Sequence, residues 1–435
     1  MRRYIIAAAL IGLVSSGLIL VLSGLGLFAQ PSRWLAHVFG AAGIFPSDGG
    51  VVVAWFVPIL TIVVAFGVAW CAVDIPEVGQ KLLVFLTTLV VVSGIALSAA
   101  LFGIMVEPFS ALSGATLAAG AGLFYASTEP GRRKRVLQTV LGNRVSRSSF
   151  HRLLNRRDPI DFKGVSRDAT VLTFRILSCS EAQDSLSPSD TVAMTNLYLR
   201  NIADFLLERG AYLDESSPDC VRVFFGLLEE DERHPEYACR AALELGMRLR
   251  NLDTECENRY FRRLQHGVAV CSGRITMGIY GSPRHFFLSA IGGEIDYCRR
   301  LSRANLIYQS QVIIGASTYA RASELLEIRP LEMFYDPDAH QMTEIYELLA
   351  LAGELGSLQM VRRDAFWEGV IHYRAGRYEE AIERFVVSKP PDFKDPPVSY
   401  FLEQAQIRLG RVARGLPSDD SDLVTKGHAR LLGSL

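Results

Sequence analysis

Residues 281–301 read GSPRHFFLSAIGGEIDYCRRL. Two apolar runs come before them, 267–272 and 275–280, and Gly273 between the runs predicts a tight turn, so that 267–280 reads as a hairpin. Gly292 and Gly293 then punctuate the chain, and 294–302 reads as a helix.

Outward from that segment the signals are those of a mixed domain. Residues 169–177 read as a strand, and 188–209 as a helix with Tyr198, Ile202 and Phe205 on the same face as Leu199 and Leu206. A strand at 221–225 and a helix at 235–250 follow. After the hairpin and its helix come strands at 311–315 and 344–349. Strand, helix, hairpin, helix, strand is the ferredoxin-like order, which assigns residues 168–350 to one α+β domain.

The 435 residues are 49% hydrophobic, and the apolar excess lies at one end. Residues 4–28, 51–73, 82–104 and 109–127 each come near the ~20 residues needed to cross a bilayer. The first is longer than the core of a signal peptide and lacks an obvious A-x-A cleavage site, so it reads as a retained helix. Between Glu129 and Arg167 there are eleven Lys or Arg against three Asp or Glu. With Arg2 and Arg3 this places both termini in the cytoplasm of a multi-pass protein of the cell membrane, and adds contact with anionic lipid. Residues 31–50 are then the sizeable exported loop. Gly114, Ala118 and Gly122 fall on one helix face, as either an internal packing seam or a dimer seam.

The formal net charge is −1, and no nucleic-acid partner is expected. Seven cysteines show no C-x-x-C pair or metal-type spacing and read as buried hydrophobes in a reducing compartment. Residues 129–167 form a basic helix broken near Gly142, then a linker. In 360–412 the stretch GRYEEAIERF (376–385) resembles the second half of a tetratricopeptide repeat. A single repeat is expected to lean on the preceding domain as a helical cap or to bind a protein partner. Residues 413–435 read as a flexible tail.

Read together, 267–301 resemble the nucleotide-gripping segment of class III nucleotidyl cyclases, which close ATP or GTP into a 3′,5′-cyclic nucleotide. Gly278, Gly281, Ser282, Ile291 and Gly292 fit that family's frame without a gap. The segment LGNRVSRSSFHRLL (141–154) is similar to the stretch that couples membrane anchor to catalytic dimer in those enzymes. The resemblance implies the cyclase fold across 168–350. It also implies a homodimer or heterodimer with another cyclase domain, and two Mg or Mn ions held by a pair of aspartates.

Slot by slot, the chemical residues depart from the family. Arg175 stands where the first metal-binding aspartate belongs, and Asp219 occupies the second position. A unit charge at Arg175 would repel a divalent ion by ~8 kcal/mol at ~4 Å and an effective dielectric of ~20, so a salt bridge from Arg175 to Asp219 in place of metal is expected. Arg284 and Ser289 fall at the base-reading positions, Asp296 at the ribose-orienting asparagine, and Arg300 at the transition-state arginine. Arg299 and Arg303 flank Arg300. The triphosphate lysine belongs before the last strand, where Pro337 stands in RPLEMFYDPD (329–338). A likeness of Gly292-Gly293-Glu294 to the diguanylate cyclase signature falls on the wrong element, since that signature sits on the hairpin corresponding to 218–220.

Three readings remain open. One is a membrane-anchored pseudo-cyclase whose domain dimerises, senses ATP or GTP, or regulates a partner. Another is a working divergent adenylate or guanylate cyclase that uses Asp219 and Asp296 as an unconventional metal pair. The third is a membrane assembly scaffold that binds no nucleotide.

Overall fold

A run of uncharged residues as long as a bilayer is thick has no polar face to offer water, and this governs the N-terminal third. The computed structural model describes residues 2–43, 51–52, 55–75, 77–156, 162–177, 186–282, 285–336, 341–391 and 394–415. The chain divides into two units, Met1–Gly142 with Phe150–Pro159, and Asn143–Ser149 with Ile160–Leu435.

The first unit contains helices α1 (Arg2–Gly24), α2 (Ala29–Ala41), α3 (Phe56–Asp74), α4 (Val78–Leu101), α5 (Phe109–Ser127), α6 (Glu129–Leu141) and α7 (Arg147–Asn155), whose first three residues belong to the second unit. Four of them, α1, α3, α4 and α5, are long and apolar enough to cross a membrane. Two-residue strands β1 (Val51–Val52) and β2 (Ile104–Met105) pair in parallel. Where the sequence predicts a loop from residue 31, the chain instead forms α2. Pro31 sits in its first turn, where the missing N–H costs nothing. Residues 44–50 lie outside the described residues.

Gly114, Ala118 and Gly122 are buried against α3. A Cβ at Gly122 would come within 2.4 Å of the Ala72 Cβ, and Ala118 packs with Ala65, Val68 and Ala69. The small-residue face is therefore an internal seam. At the end of α5 the basic run begins, and Lys134 of α6 pairs with Asp74 at 2.7 Å. The helix breaks at Gly142, whose φ is +50°.

In the second unit an antiparallel-dominated sheet runs in the order β4-β5-β3-β6-β8-β10-β9, with β7 also on β6. Its strands are β3 (Val165–Ile176), β4 (Tyr212–Ser217), β5 (Cys220–Phe225), β6 (His266–Ser282), β7 (His285–Ile291), β8 (Ile313–Gly315), β9 (Leu326–Asp336) and β10 (Gln341–Leu351). Helices α8 (Pro188–Glu208) and α9 (His234–Tyr260) cover one face, and α10 (Gly293–Tyr308) lies over β3 and β6. Ser187 caps α8 by accepting from the Asp190 N–H. Both faces of β3 are buried. Leu172 and Phe174 join the core with Tyr198, Ile202 and Leu245, while Val171 and Ala269 offer carbonyls to the Cys298 thiol of α10.

Two sequence expectations change here. Residues 267–280 are not a hairpin, because β6 continues through Gly273, which pairs with Ala169. The glycine is there for packing, since a Cβ would meet Glu294 Cγ at 2.5 Å. The reversal comes later, between β6 and β7, next to Gly281 with φ +116° and a Cβ position only 2.2 Å from the His285 carbonyl. Residues 329–336, to which the sequence assigned no element ahead of the last strand, belong to β9, and Pro337 lies outside the described residues. Pro330 is accommodated at an irregularity where Ile345 pairs with Glu332 and Tyr346 with Pro330.

A short α11 (Ala316–Ala322) precedes β9, and three helices follow β10: α12 (Ser357–Arg374), α13 (Tyr378–Ser388) and α14 (Pro396–Ala413). They share the rings of Phe366, Tyr373, Phe385 and Phe401. Buried Arg329 joins them to the sheet. It donates to Glu347 at 2.6 Å and, through two nitrogens at 2.8 Å, to Asp395, the N-cap of α14. Burial alone would lower Arg329, but Glu347 and Asp395 outweigh it and hold the guanidinium above its ordinary range. The tail from residue 416 lies outside the described residues.

Candidate functional site

At the end of β3, Arg175 pairs across the sheet with Cys220 on one side and Gly267 on the other. The turn between β4 and β5 docks there, with the Ile176 N–H donating to the Asp219 carbonyl at 2.8 Å. This brings the two side chains of the metal slots together. Arg175 Nη2 and Nε donate to Asp219 Oδ2 at 2.9 and 3.2 Å, and Ser217 donates to Oδ1 at 3.2 Å. The second guanidinium nitrogen, Nη1, is buried without a partner among the described residues.

A divalent ion does not fit this donor set. Asp219 offers an oxygen already taken by a cation, and no group of three or more His, Cys, Asp or Glu lies close enough to hold a metal among the described residues. The charges that close in from α10 are positive as well. Gly267 lets the helix approach so closely that a Cβ there would sit 2.0 Å from the Ser302 carbonyl, and Arg303 follows directly. Burial, then the guanidiniums of Arg175 and Arg299, push Arg303 below its ordinary value, with Asp219 acting the other way.

The outward stripe of α10 carries Asp296, Arg299, Arg300 and Arg303 at helical spacing. Asp296 is exposed and lies 3.7 Å from Arg299. Arg300 is half-buried over the Tyr297 ring at 5.8 Å, and its Nη2 has no partner among the described residues. These residues share a helix face near the Arg175–Asp219 pair. Arg284 lies outside the described residues.

Ser289 of β7 is buried and donates to Asp214 Oδ1 at 2.5 Å. Asp214 Oδ2 in turn accepts from Arg222 at 2.7 Å, and Arg222 also reaches Glu215 at 3.0 Å. Burial works against the Arg222 charge, yet Asp214 and Glu215 outweigh it and raise its pKa. The hydroxyl at the base-reading position is thus committed to a buried network that the sequence did not reveal. Its origin is a bulge, since Leu213 pairs with Val223 and Glu215 with Arg222, leaving Asp214 as the extra residue. An Asp-Glu doublet opposite an arginine one strand away was the available signal. Tyr212 adds a second tie, donating to the Leu288 carbonyl at 2.6 Å.

No protein-family model matches the chain. Among curated proteins, Adenylate cyclase 1 of Rhizobium meliloti (strain 1021) is 20% identical over 185 residues, 42% of this chain and 28% of that protein. The terminal-differentiation specific adenylate cyclase of Dictyostelium discoideum is 19% identical over 247 residues, 55% of this chain and 11% of that protein. The chain thus spans well under a third of either relative. Among solved structures, the adenylyl cyclase CyaB from P. aeruginosa matches 45% of this chain and 100% of its own, at 20% identity and a TM-score of 0.41. The guanylyl cyclase Cya2 matches 45% and 98% at 18% identity, with the same score. The sequence relatives, the frame from Gly278 to Gly292 and the α+β architecture around it converge, and the chain is a membrane-associated, class III cyclase-like protein.

Proposed function

We propose that the chain acts as a regulatory, catalytically degenerate cyclase homologue, a half-site that pairs with another cyclase domain in cyclic-nucleotide signalling. The observation that carries this reading is the Arg175–Asp219 ion pair at 2.9 Å. Cyclisation requires the ribose 3′-hydroxyl to lose its proton while pyrophosphate leaves, and charge screening of the phosphates by divalent ions makes that feasible in this family. With Arg175 on Asp219, this half does not present the paired carboxylates that would hold such ions.

Of the other half of the chemistry, the transition-state arginine is kept as Arg300, while Asp296 and Pro337 replace the asparagine and the lysine. Arg300 has a buried guanidinium nitrogen without a partner among the described residues, and turned outward from α10 the group would suit a developing phosphorane charge on a nucleotide held by a partner with intact aspartates. Arg299 and Arg303 add positive potential at the same surface. Dimerisation, homotypic or with such a partner, belongs to this proposal, as does ATP or GTP as the nucleotide.

The test is cyclic AMP and cyclic GMP formation by detergent-purified full-length protein given Mn and either ATP or GTP, with Arg300→Ala as control. We expect no product above the control. Turnover that disappears with Arg300→Ala would overturn the proposal and point to an active divergent cyclase.

A further inference from the structure

Helix α4 makes its buried contacts through Val92, Ala96 and Ala100, one face and all in its second half. Only 11% of its apolar window is buried, against 39% for α3. Its first half is held to α3 and α5 through the half-buried Phe85, and beside that contact a cavity of about 340 Å³ remains. The walls are apolar, with Val68 and Ala72 from α3, Leu82 and Phe85 from α4, and Ala119 and Leu123 from α5. Thr116 also lines it, but its hydroxyl is spent on the Leu112 carbonyl at 2.8 Å.

One charge faces this apolar space. Lys81 lines the cavity one turn into α4, and its ammonium has no hydrogen bond or ion pair among the described residues. Arg135 and Lys134, both cations, are close enough to act on its charge. Lys134 is already matched by Asp74, which leaves Lys81 and Arg135 as surplus positive charge. An apolar slot that ends at an uncompensated ammonium is complementary to a chain with an anionic head.

We propose that this cavity binds a single-chain anionic amphiphile, a long-chain fatty acid whose carboxylate pairs with Lys81 and whose tail lies between α3, α4 and α5. The volume accommodates part of one acyl chain and not two side by side, which disfavours a phospholipid as occupant. Binding would fill the gap under the first half of α4 and couple that helix to the bundle. The site is independent of whether the cyclase-like unit turns over nucleotide.

The experiment uses full-length protein in phosphatidylcholine nanodiscs with radiolabelled oleate as probe and oleyl alcohol as the uncharged comparator. We expect saturable oleate binding that protects Cys71, a cavity residue, from maleimide, and oleyl alcohol binding weaker by about tenfold. Lys81→Gln should weaken oleate by a similar factor. Gly120→Leu should abolish binding, because a Cβ at Gly120 meets nothing within 4 Å and the side chain can enter the space without a clash at its root. Equal binding of oleate and oleyl alcohol by the unmodified protein would overturn the proposal, as would oleate binding unchanged in Gly120→Leu. Loss of oleate binding in phosphatidylglycerol nanodiscs would also overturn it, assigning the ammonium to a phospholipid headgroup.

Discussion

The guanidinium of Arg175 occupies space that an aspartate would leave to a metal, so the exchange can be run in reverse. Arg175→Asp would set two carboxylates side by side at the end of β3 and remove the cation. Mn binding is expected to be absent from the unmodified protein and to appear in the variant, read by the loss of free Mn signal in electron paramagnetic resonance. Equal Mn binding by both proteins would sink the ion-pair account. The network beneath is structural by comparison. Asp214→Ala would leave Arg222 with Glu215 alone, its buried partner gone from a site where the Asp214 side chain is 1% exposed, at a cost of about 3 kcal/mol, whereas Ser289→Ala removes one hydrogen bond worth about 1–2 kcal/mol. Thermal unfolding of the purified protein should rank them in that order. Arg175 and Asp219 were legible in sequence because each sits in an ungapped local frame. Asp214 and Arg222 were not, because their meeting depends on a bulge that only the paired strands define.

Among elements, the sequence was legible where one physical cause dominated. Apolar length alone located α1, α3, α4 and α5, and the Gly292 turn located α10. It failed where two causes compete for one residue type. Gly273 was read as a turn and is a packing glycine under Glu294. Residue 31 was read as opening a loop, but Pro31 sits in a first helical turn. The α3–α5 seam yields a sharp test. Gly122→Leu should destabilise the bundle by about 1–3 kcal/mol through overpacking against Ala72, lowering the thermal midpoint in detergent while leaving the oligomeric state unchanged. A shift in oligomer without loss of stability would mean that the face serves a partner helix. A second test concerns the contact of α9 with β3. His234 Nδ1 lies 2.7 Å from the Thr170 hydroxyl, which also meets Ser272. Burial pushes its pKa down, with Asp168 and Asp231 opposing and Arg321 assisting. A depressed histidine stays neutral in the fold, so its contribution is present above the ordinary value of about 6.5. That contribution is lost as pH falls from there towards the folded value. The thermal midpoint should therefore drop between pH 7 and pH 5.5, and His234→Asn should flatten that part of the profile.

For the whole molecule, the division into two units does not follow the boundary between membrane helices and sheet. Asn143–Ser149 belongs with the sheet, although Phe150–Pro159 belongs with the helices. The reason is that β4 is the edge of the sheet, and its Leu213 N–H donates to the Arg144 carbonyl at 2.8 Å while Arg144 Nη1 donates to the Asp214 carbonyl at 2.6 Å. Arg144 also lies over the Phe287 ring at 5.6 Å. An uncovered edge strand is a template for aggregation, and this short segment covers it. Two soluble fragments should therefore behave differently although both contain β3 to β10. The fragment beginning at Asn143 is expected to be monodisperse. The fragment beginning at Ile160 loses both hydrogen bonds and the ring contact, about 1–3 kcal/mol, and exposes β4. It should unfold at lower temperature and elute as higher oligomers in size-exclusion chromatography. Equal behaviour of the two would mean that the segment before α7 merely crosses the sheet edge. A difference would make it the cover of the β4 edge, tied through the Asp214 carbonyl to the hairpin that holds Asp219 against Arg175.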